Sequence, residues 1–341
     1  MYFCRRSWRL FKRCLGLAVG VVRDRRSGAI QGFSIAILTV LVFFPHRATS
    51  SVHTRAASDS FKMGSSFNTN SEKDESVPFY EALAKALKKR KTKLEEICPL
   101  NDQVARRVLE DYGAMFVADK KVTPPPVCVF TSEDEVTKFQ EYAQYVTETI
   151  GFDDVELQPQ AMKALIKARE EAQKENLDIT PRDGAEAARR NYDDSVRLWN
   201  TRFLPALDYW LALARLTPEQ VERVRAMPLK QQVAAVLELE KSGIYFSKDL
   251  SKSILYSIAA PGTSQHIAML AFDVNEFENP RVREILAKHG WFQTVLSDLP
   301  HFTYLGLKEK DLPKRGLKSV EVNGQTFWIP NVSSSGTDFS L

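Results

Sequence analysis

Residues 320–329 read Val-Glu-Val-Asn-Gly-Gln-Thr-Phe-Trp-Ile, and this stretch decides the fold of the C-terminal part of the chain. Two short segments of β-branched and aromatic residues flank Asn323-Gly324, which is the strongest short-range signal for a β-hairpin. From about Lys241 onward the chain is rich in such residues and in turn signals, whereas helical periodicity dominates the part before it. The sequence therefore predicts an α+β protein, with a helical N-terminal half and a C-terminal antiparallel sheet.

The N-terminal half contains apolar residues at helical spacing, beginning at Phe79, and a capping-box pattern that begins at Ser132. Aromatic residues at helical intervals are expected to pack in the core, and they are Tyr192, Trp199, Phe203 and Trp210. The predicted elements are a helix from Phe79, a strand at 127–130, a helix from Ser132 to about 150, a helix at 158–176, a short strand ending in a turn at 177–184, a helix ending at Trp199, and helices at 205–216 and 218–241.

The first 46 residues have the composition of a targeting segment. A basic stretch precedes the apolar run 33–44, and small and polar residues follow it. This run is shorter than the roughly 20 apolar residues of a membrane span and fits the core of a signal peptide, although residues 28–44 taken together leave a membrane anchor open. Residues 47–76 have the composition of a linker. We therefore expect an exported protein of the periplasm or cell envelope.

The charge distribution argues against a nucleic-acid partner. The formal net charge is +4, but residues 1–60 hold ten Lys and Arg against two Asp, so the rest of the chain is net acidic. A mildly acidic body is poorly suited to binding a phosphate backbone. We divide this body into a helical region, residues 77–176, and a second region, residues 177–335. Whether the helical region is a separate domain or a lid stays open, as does the oligomeric state.

Two cysteines, Cys98 and Cys128, lie outside the targeting segment. In an oxidising compartment they are able to form a disulfide, and two buried free thiols are the alternative.

Two histidines of the C-terminal part lie in distinctive segments. The first segment, residues 261–273, reads Pro-Gly-Thr-Ser-Gln-His-Ile-Ala-Met-Leu-Ala-Phe-Asp, and the second, residues 297–302, reads Ser-Asp-Leu-Pro-His-Phe. A catalytic zinc ion takes three nitrogen or oxygen ligands and keeps a fourth position for water. The two segments supply such a set together with a nearby base: the candidate ligands are His266, Asp273 and His301, and the candidate base is Asp298.

The spacing of this set imposes a condition on the backbone. Positions 266 and 273 would face opposite sides of one continuous strand, so the chain must turn between them if both residues bind one metal. Ordinary hydrogen-bonded residues near strand ends are the alternative interpretation.

The first segment resembles the S-x-H-x-x-G-x-A-x-D motif of the D-alanyl-D-alanine carboxypeptidase family of zinc peptidases, which includes the VanY- and VanX-like enzymes. The agreeing positions are Ser264, His266, Ala271 and Asp273. The second segment resembles the E-x-x-H element of that family, with Asp298 at the position of the acid and His301 at that of the ligand. Residues 180–184 look like its S-x-Y-R-S segment, which places Arg182 at the position of the active-site arginine.

The resemblance covers roughly residues 177–306 and has two departures. Met269 stands where the family usually has glycine, so the backbone must differ there or tolerate the side chain. Asp298 replaces the more usual glutamate and shortens the base by one methylene group.

The resemblance implies an antiparallel-sheet core of the DD-peptidase/hedgehog-like type and a Zn²⁺ ion held by His266, Asp273 and His301. Asp298 is then the proton acceptor, and Arg182 stabilises the oxyanion or binds the substrate carboxylate. A surface ion pair with Asp183 is the alternative role for Arg182. Ser264 is implied to hydrogen-bond the substrate or to hold the turn.

The substrates that the resemblance implies are peptidoglycan stem peptides, above all those that end in D-Ala-D-Ala. Cleavage of DD or LD bonds, and carboxypeptidase or endopeptidase action, stay open. The alternative function is a catalytically inactive peptidoglycan-binding or scaffold protein that retains the fold, with Met269 and Asp298 as signs of lost turnover.

Overall fold

Helices and short antiparallel strands make up the computed structural model, which describes residues 77–332. The predicted leader (1–46) and linker (47–76) lie outside the described residues. The helices are α1 (Pro78–Arg90), α2 (Leu94–Ile97), α3 (Gln103–Tyr112), α4 (Glu133–Ala143), α5 (Pro159–Lys174), α6 (Tyr192–Ala212), α7 (Pro218–Arg225), α8 (Leu229–Glu240) and α9 (Pro280–Lys288). The strands are β1 (Val146–Ile150), β2 (Asp153–Leu157), β3 (Ala271–Asp273), β4 (Trp291–Gln293), β5 (His301–Tyr304), β6 (Leu317–Val322) and β7 (Gln325–Pro330).

The strands form small antiparallel sheets, so the fold is of the mixed α+β type. Strands β1 and β2 form a hairpin, β3, β5 and β4 form a sheet in that order, and β6 pairs with β7. The predicted C-terminal hairpin is confirmed, because Val322 pairs with Gln325 around Asn323 and Gly324. Both turn residues have positive φ, as a two-residue turn that matches the strand twist requires.

Several predicted elements differ from the structure. The helix that begins after Ser132 ends at Ala143 instead of about residue 150, because Gln144 takes φ 59° and the β-branched residues that follow form β1. The predicted strand at 127–130 is wrong. Its backbone N–H groups bond in two directions, from Cys128 to the carbonyl of Ile97 and from Phe130 to that of Gly262.

The region between 177 and 241 also differs in detail. The predicted strand at 177–184 is reduced to a single bridge between Pro181 and Val274. Helix α6 is continuous through Pro205, where a helix start was expected. Packing overrides the lost backbone hydrogen bond there, because Trp199, Phe203 and Trp210 are buried on the same helix, as their spacing predicts. The predicted helix at 218–241 is interrupted between α7 and α8.

One hydrophobic core joins residues from both sides of the predicted division at residue 176. Phe79 and Leu83 of α1 and Leu165 of α5 belong to the same buried cluster as Phe272 of β3 and Trp291 of β4. A second cluster lies among α3, α6, α7 and α8. All described residues fall within one compact unit, Asn70–Leu341.

A disulfide joins Cys98, at the end of α2, to Cys128, with the two Cα atoms 5.2 Å apart. Of the two alternatives that the sequence left open, the structure has the bridged form.

Within residues 77–332, none of the helices is long and apolar enough to cross a membrane.

Candidate metal centre

The register of β3 and β5 brings two of the three candidate ligands together. Asp273 lies directly opposite His301 in this antiparallel pair. Residues that face each other across two antiparallel strands project to the same side of the sheet, with Cβ atoms about 5 Å apart. The pairing of the strands therefore places a carboxylate next to an imidazole.

A tight turn at residues 264–269 carries the third candidate ligand, His266, ahead of β3. Its backbone N–H groups bond three residues back, from Ile267 to Ser264, from Ala268 to Gln265, and from Met269 to His266. The chain thus turns between positions 266 and 273, as their spacing requires for a shared site. Ser264 supports the turn, since its hydroxyl oxygen accepts the N–H of His266 at 3.3 Å.

Met269 shows why the motif that this segment resembles has glycine at that position. Its φ is +54°, in the left-handed region that glycine adopts most readily. The side chain is completely buried. The backbone therefore keeps a glycine-type conformation and accommodates methionine by packing it in the core.

Three donor atoms converge where these elements meet. Nε2 of His266 lies 3.1 Å from Nδ1 of His301 and 3.3 Å from Oδ1 of Asp273, and the last two atoms are 3.1 Å apart. The three residues are only 2%, 4% and 7% exposed, in the order His266, His301, Asp273. A tetrahedral metal with bonds of about 2.0–2.1 Å needs ligand atoms roughly 3.3 Å apart. These residues could therefore hold a metal ion.

The remaining polar atom of each candidate ligand contacts a partner that orients it. Nδ1 of His266 lies 2.9 Å from the carbonyl oxygen of Ala188, and Nε2 of His301 lies 2.9 Å from Oε1 of Gln265. Both partners are hydrogen-bond acceptors, so these contacts favour the tautomer that has its proton on the outer nitrogen and a lone pair turned inward. Such outer contacts are the usual support of metal-binding histidines.

The charge states of the two neighbouring ligands also suit a cation. Burial, with the positive charge of Arg190, lowers the pKa of His266 to about 4, so this imidazole is neutral. The guanidinium of Arg190 donates to Oδ2 of Asp273 at 2.8 Å and favours the ionised form of this carboxylate. Three acceptor atoms, one of them anionic, therefore face one another in a buried position.

Asp298 lies in the wall of a cleft that opens beside the three ligands and also contains Ser264, His266 and His301. Burial and the negative charge of Asp273 raise the pKa of Asp298. A carboxylate with a raised pKa is better matched to proton transfer near neutral pH than an ordinary one.

Two arginines lie beside the site. The backbone N–H of Arg182 donates to the carbonyl oxygen of Asp273 at 2.9 Å, while its guanidinium lies 5.4 Å from the ring of Phe277 and 3.9 Å from the carboxylate of Asp183. Arg190, which the sequence did not single out, lines the cleft, and its Nη2 donates to Oδ2 of Asp273 at 2.8 Å.

The other residues that the sequence did not reveal are Gln265 and its neighbours Thr294 and Thr303. Gln265 occupies a position of the histidine segment at which the resembled motif specifies no residue. The two threonines contact the site only through strand pairing and side-chain hydrogen bonds. Glutamine and threonine are common in such segments, so their presence in the sequence does not predict contact with a metal ligand.

Comparison of the sequence with protein-family models gives no match, and comparison with curated proteins gives none either.

Proposed function

We propose that this chain is an exported zinc-dependent peptidase of the D-alanyl-D-alanine carboxypeptidase type, which hydrolyses peptidoglycan stem peptides. One observation carries the proposal: the donor atoms of His266, Asp273 and His301 converge at 3.1–3.3 Å beside a cleft whose wall contains His266, His301 and Asp298. The resemblance of the two ligand segments to the family motif selects this reaction among those that such a set supports.

The composition of the ligand set favours zinc over the harder cations. Two imidazoles and one carboxylate suit transition metals, whereas magnesium and calcium prefer oxygen ligands. The same set also occurs in iron enzymes, so metal analysis belongs to the test. Zinc bound at this position would act as a Lewis acid: it would lower the pKa of a bound water molecule to about 7 and polarise a carbonyl oxygen.

The side chains of the cleft have the roles that peptide hydrolysis requires. The carboxylate of Asp298 accepts the proton of the attacking water and returns it to the nitrogen of the leaving amine. Arg182 lies beside the cleft, with its side chain 43% exposed and its guanidinium 3.9 Å from the carboxylate of Asp183, and it would bind the oxyanion or a terminal carboxylate in place of that pairing. Ser264 holds the turn and also lines the cleft, so it is able to contact the substrate.

The cleft offers room for a peptide on one side of the ligands. It continues into a second depression, which shares Tyr112, Leu255 and Tyr256 with the cleft and extends to Asp111 of α3. The residues common to the two depressions form a wall beside the ligands against which a substrate chain would lie. This wall does not select the bond that is cleaved.

The test measures metal content and the release of D-Ala from a pentapeptide stem by the full-length chain. We expect about one zinc ion per chain and hydrolysis in the wild type. His301→Ala should lose both, whereas Asp298→Ala should keep zinc and lose hydrolysis. His289→Ala is the matched control, because His289 contacts Glu171 away from the ligands and its loss should change neither.

The other outcomes are equally informative. Zinc in the wild-type protein without hydrolysis of any stem peptide would support the inactive peptidoglycan-binding or scaffold protein. Iron in place of zinc would overturn the metal assignment, and a protein that binds no metal would overturn the site.

A further inference from the structure

We infer that Gln265 is a positioning residue that fixes the tautomer of His301 and thereby keeps Nδ1 of that imidazole free to bind a metal. The inference rests on the metal site of the proposed function. It concerns a glutamine outside the ligand set, and its experimental readout does not depend on turnover.

The amide of Gln265 has only one favourable orientation. The side chain is buried, and its Nε2 donates to the backbone carbonyl of Tyr112 at 2.8 Å. A carbonyl oxygen only accepts hydrogen bonds, so an amide flipped by 180° would place two oxygen atoms against each other. The carbonyl of Tyr112, at the end of α3, therefore directs Oε1 of Gln265 toward His301.

Two threonines close a ring of hydrogen bonds that reinforces this orientation. Nε2 of Gln265 also donates to the hydroxyl of Thr294 at 3.3 Å, and the hydroxyls of Thr294 and Thr303 are 2.7 Å apart. The hydroxyl of Thr303 donates to Oε1 of Gln265. Since a hydroxyl has one proton, Thr294 must donate to Thr303. Every donor in the ring then has an acceptor.

The imidazole of His301 has to match this arrangement. Its Nε2 lies 2.9 Å from Oε1 of Gln265, a distance that is favourable only if Nε2 carries the proton. The competing tautomer, with the proton on Nδ1, would donate to the carboxylate of Asp273 at 3.1 Å. That tautomer would block the atom that the metal needs. Gln265 therefore disfavours the hydrogen bond from Nδ1 of His301 to Asp273, which would occupy the nitrogen that has to bind the metal.

The direct test is ¹⁵N NMR of the histidine side chains in the full-length, metal-free protein at about pH 8, where imidazole is ordinarily neutral. We expect His301 to be protonated on Nε2 in the wild type. In Gln265→Met, which keeps the side-chain length and removes the acceptor, we expect the proton to move to Nδ1.

The second readout is zinc affinity, measured by competition with a chelator. Loss of an outer hydrogen bond to a metal-binding histidine typically weakens metal affinity 10- to 100-fold, and we expect a loss of about this size in Gln265→Met. Gln232→Met is the matched control. Gln232 is also buried and its Oε1 accepts from Nε1 of Trp199 at 2.8 Å, but Trp199 belongs to the second core. This control should lower the melting temperature and leave zinc affinity unchanged.

Each outcome separates this inference from the proposed function. Wild-type tautomer and zinc affinity in Gln265→Met would overturn the inference, and so would an equal loss of zinc affinity in the control. If Gln265→Met does not fold, the wild-type spectrum decides, since a proton on Nδ1 of His301 in the metal-free protein also overturns it. If the wild type binds zinc but hydrolyses no stem peptide, the proposed activity is contradicted, whereas the conclusion about the tautomer of His301 is unaffected.

Discussion

Arg190 and Arg182 both lie beside Asp273, but they contact it through different atoms. The guanidinium of Arg190 is held between the carbonyl oxygen of Glu186, at 2.9 Å from Nε, and Oδ2 of Asp273, at 2.8 Å from Nη2. Arg182 contacts Asp273 through its backbone N–H, and its guanidinium is not engaged with that carboxylate. Arg190 is thus placed to position the ligand, whereas the side chain of Arg182 is available to a substrate.

Substitution of each arginine by glutamine should separate these roles. Arg190→Gln removes the charge that orients Asp273, so zinc affinity should fall roughly 10- to 100-fold. Arg182→Gln should leave zinc affinity unchanged and lower kcat/KM by about 10²-fold, the usual effect of removing one oxyanion donor. Chelator competition and steady-state kinetics on a stem pentapeptide measure both quantities. Equal zinc affinity in the two variants would contradict the role of Arg190. Unchanged kcat/KM in Arg182→Gln would support the alternative role of Arg182, a surface ion pair with Asp183.

The left-handed backbone of Met269 has a measurable energetic signature. In that conformation glycine is favoured over alanine by about 1 kcal/mol. The free energy of unfolding should therefore be higher for Met269→Gly than for Met269→Ala, although both variants lose the buried side chain. Met162, buried near the start of α5 with its backbone N–H bonded to the carbonyl oxygen of Gln158, is the control, because in a helix alanine should be the more stable replacement by about 1 kcal/mol. Denaturant unfolding of the four variants gives the comparison, and the same order at both positions would argue against a strained backbone at residue 269.

At the scale of residues, the sequence predicted which three candidate ligands come together, but it did not predict the residues that support them. Histidine and aspartate at a recognisable spacing stand out because few residue types bind metals. Gln265 and Arg190 do not stand out, because glutamine and arginine are common in any polar loop and their partners are backbone carbonyls or distant side chains. Only the turn at 264–269 and the pairing of β3 with β5 bring them to the ligands.

At the scale of elements, the segment after α8 forms one wall of the cleft and is anchored by a buried carboxylate. Glu240, the last residue of α8, is 7% exposed, and its Oε1 accepts the backbone N–H of Ile254 at 2.7 Å. The next two residues, Leu255 and Tyr256, line the cleft. Burial raises the pKa of Glu240 from its ordinary value of 4.5 to about 7.

This raised pKa predicts a pH-dependent stability that Glu240→Gln should remove. The folded protein holds the proton more tightly than the unfolded chain, so stability conferred by this group is present below pH 4.5 and is lost as the pH rises toward 7. The loss has an upper limit of roughly 3 kcal/mol. Glu240→Gln should therefore be more stable than the wild type at pH 8 and close to it at pH 4.

Unfolding free energies measured in denaturant across that range provide the check. Glu238→Gln is the control, since Glu238 pairs with Lys241 at the surface and its replacement changes no buried carboxyl group. If the difference in unfolding free energy between Glu240→Gln and the wild type stayed constant with pH, the pKa of Glu240 would not be raised in the folded state.

Element types were predictable where one residue pattern dominates, as at the Asn323-Gly324 hairpin and at α5. They were not predictable where the chain changes direction for tertiary reasons. Gln144 ends α4 with a positive φ although no glycine or proline stands there. Pro205 does not interrupt α6, because Phe203 and Ala206 on the same helix are buried in the core. The pairing of Asp273 with His301 also depends on contacts that lie far apart in the sequence.

On the scale of the whole molecule, the helical region supports the turn that carries His266. Nε2 of Gln140 donates to the carbonyl oxygen of Ile267 at 3.1 Å, and Nε2 of Gln158 donates to that of Ala268 at 2.8 Å. The backbone N–H of Gln158 adds a bond to the carbonyl oxygen of Met269 at 3.1 Å. Three successive carbonyl groups of the turn are thus satisfied by the region before residue 177.

The shared core and these hydrogen bonds predict that the two predicted regions are not separable. A chain that begins at residue 177 would lose the buried side chains of α1 and α5 and would leave the carbonyl groups of the turn without partners, at a cost of about 1–3 kcal/mol each. We therefore expect it to show no cooperative unfolding transition and no stoichiometric zinc binding, whereas a chain that begins at residue 77 should retain both. Circular dichroism during thermal unfolding and zinc titration measure the two properties. If the shorter chain unfolded cooperatively and bound zinc with wild-type affinity, residues 77–176 would be an attached module, and the carbonyl contacts of Gln140 and Gln158 would be unnecessary to the site.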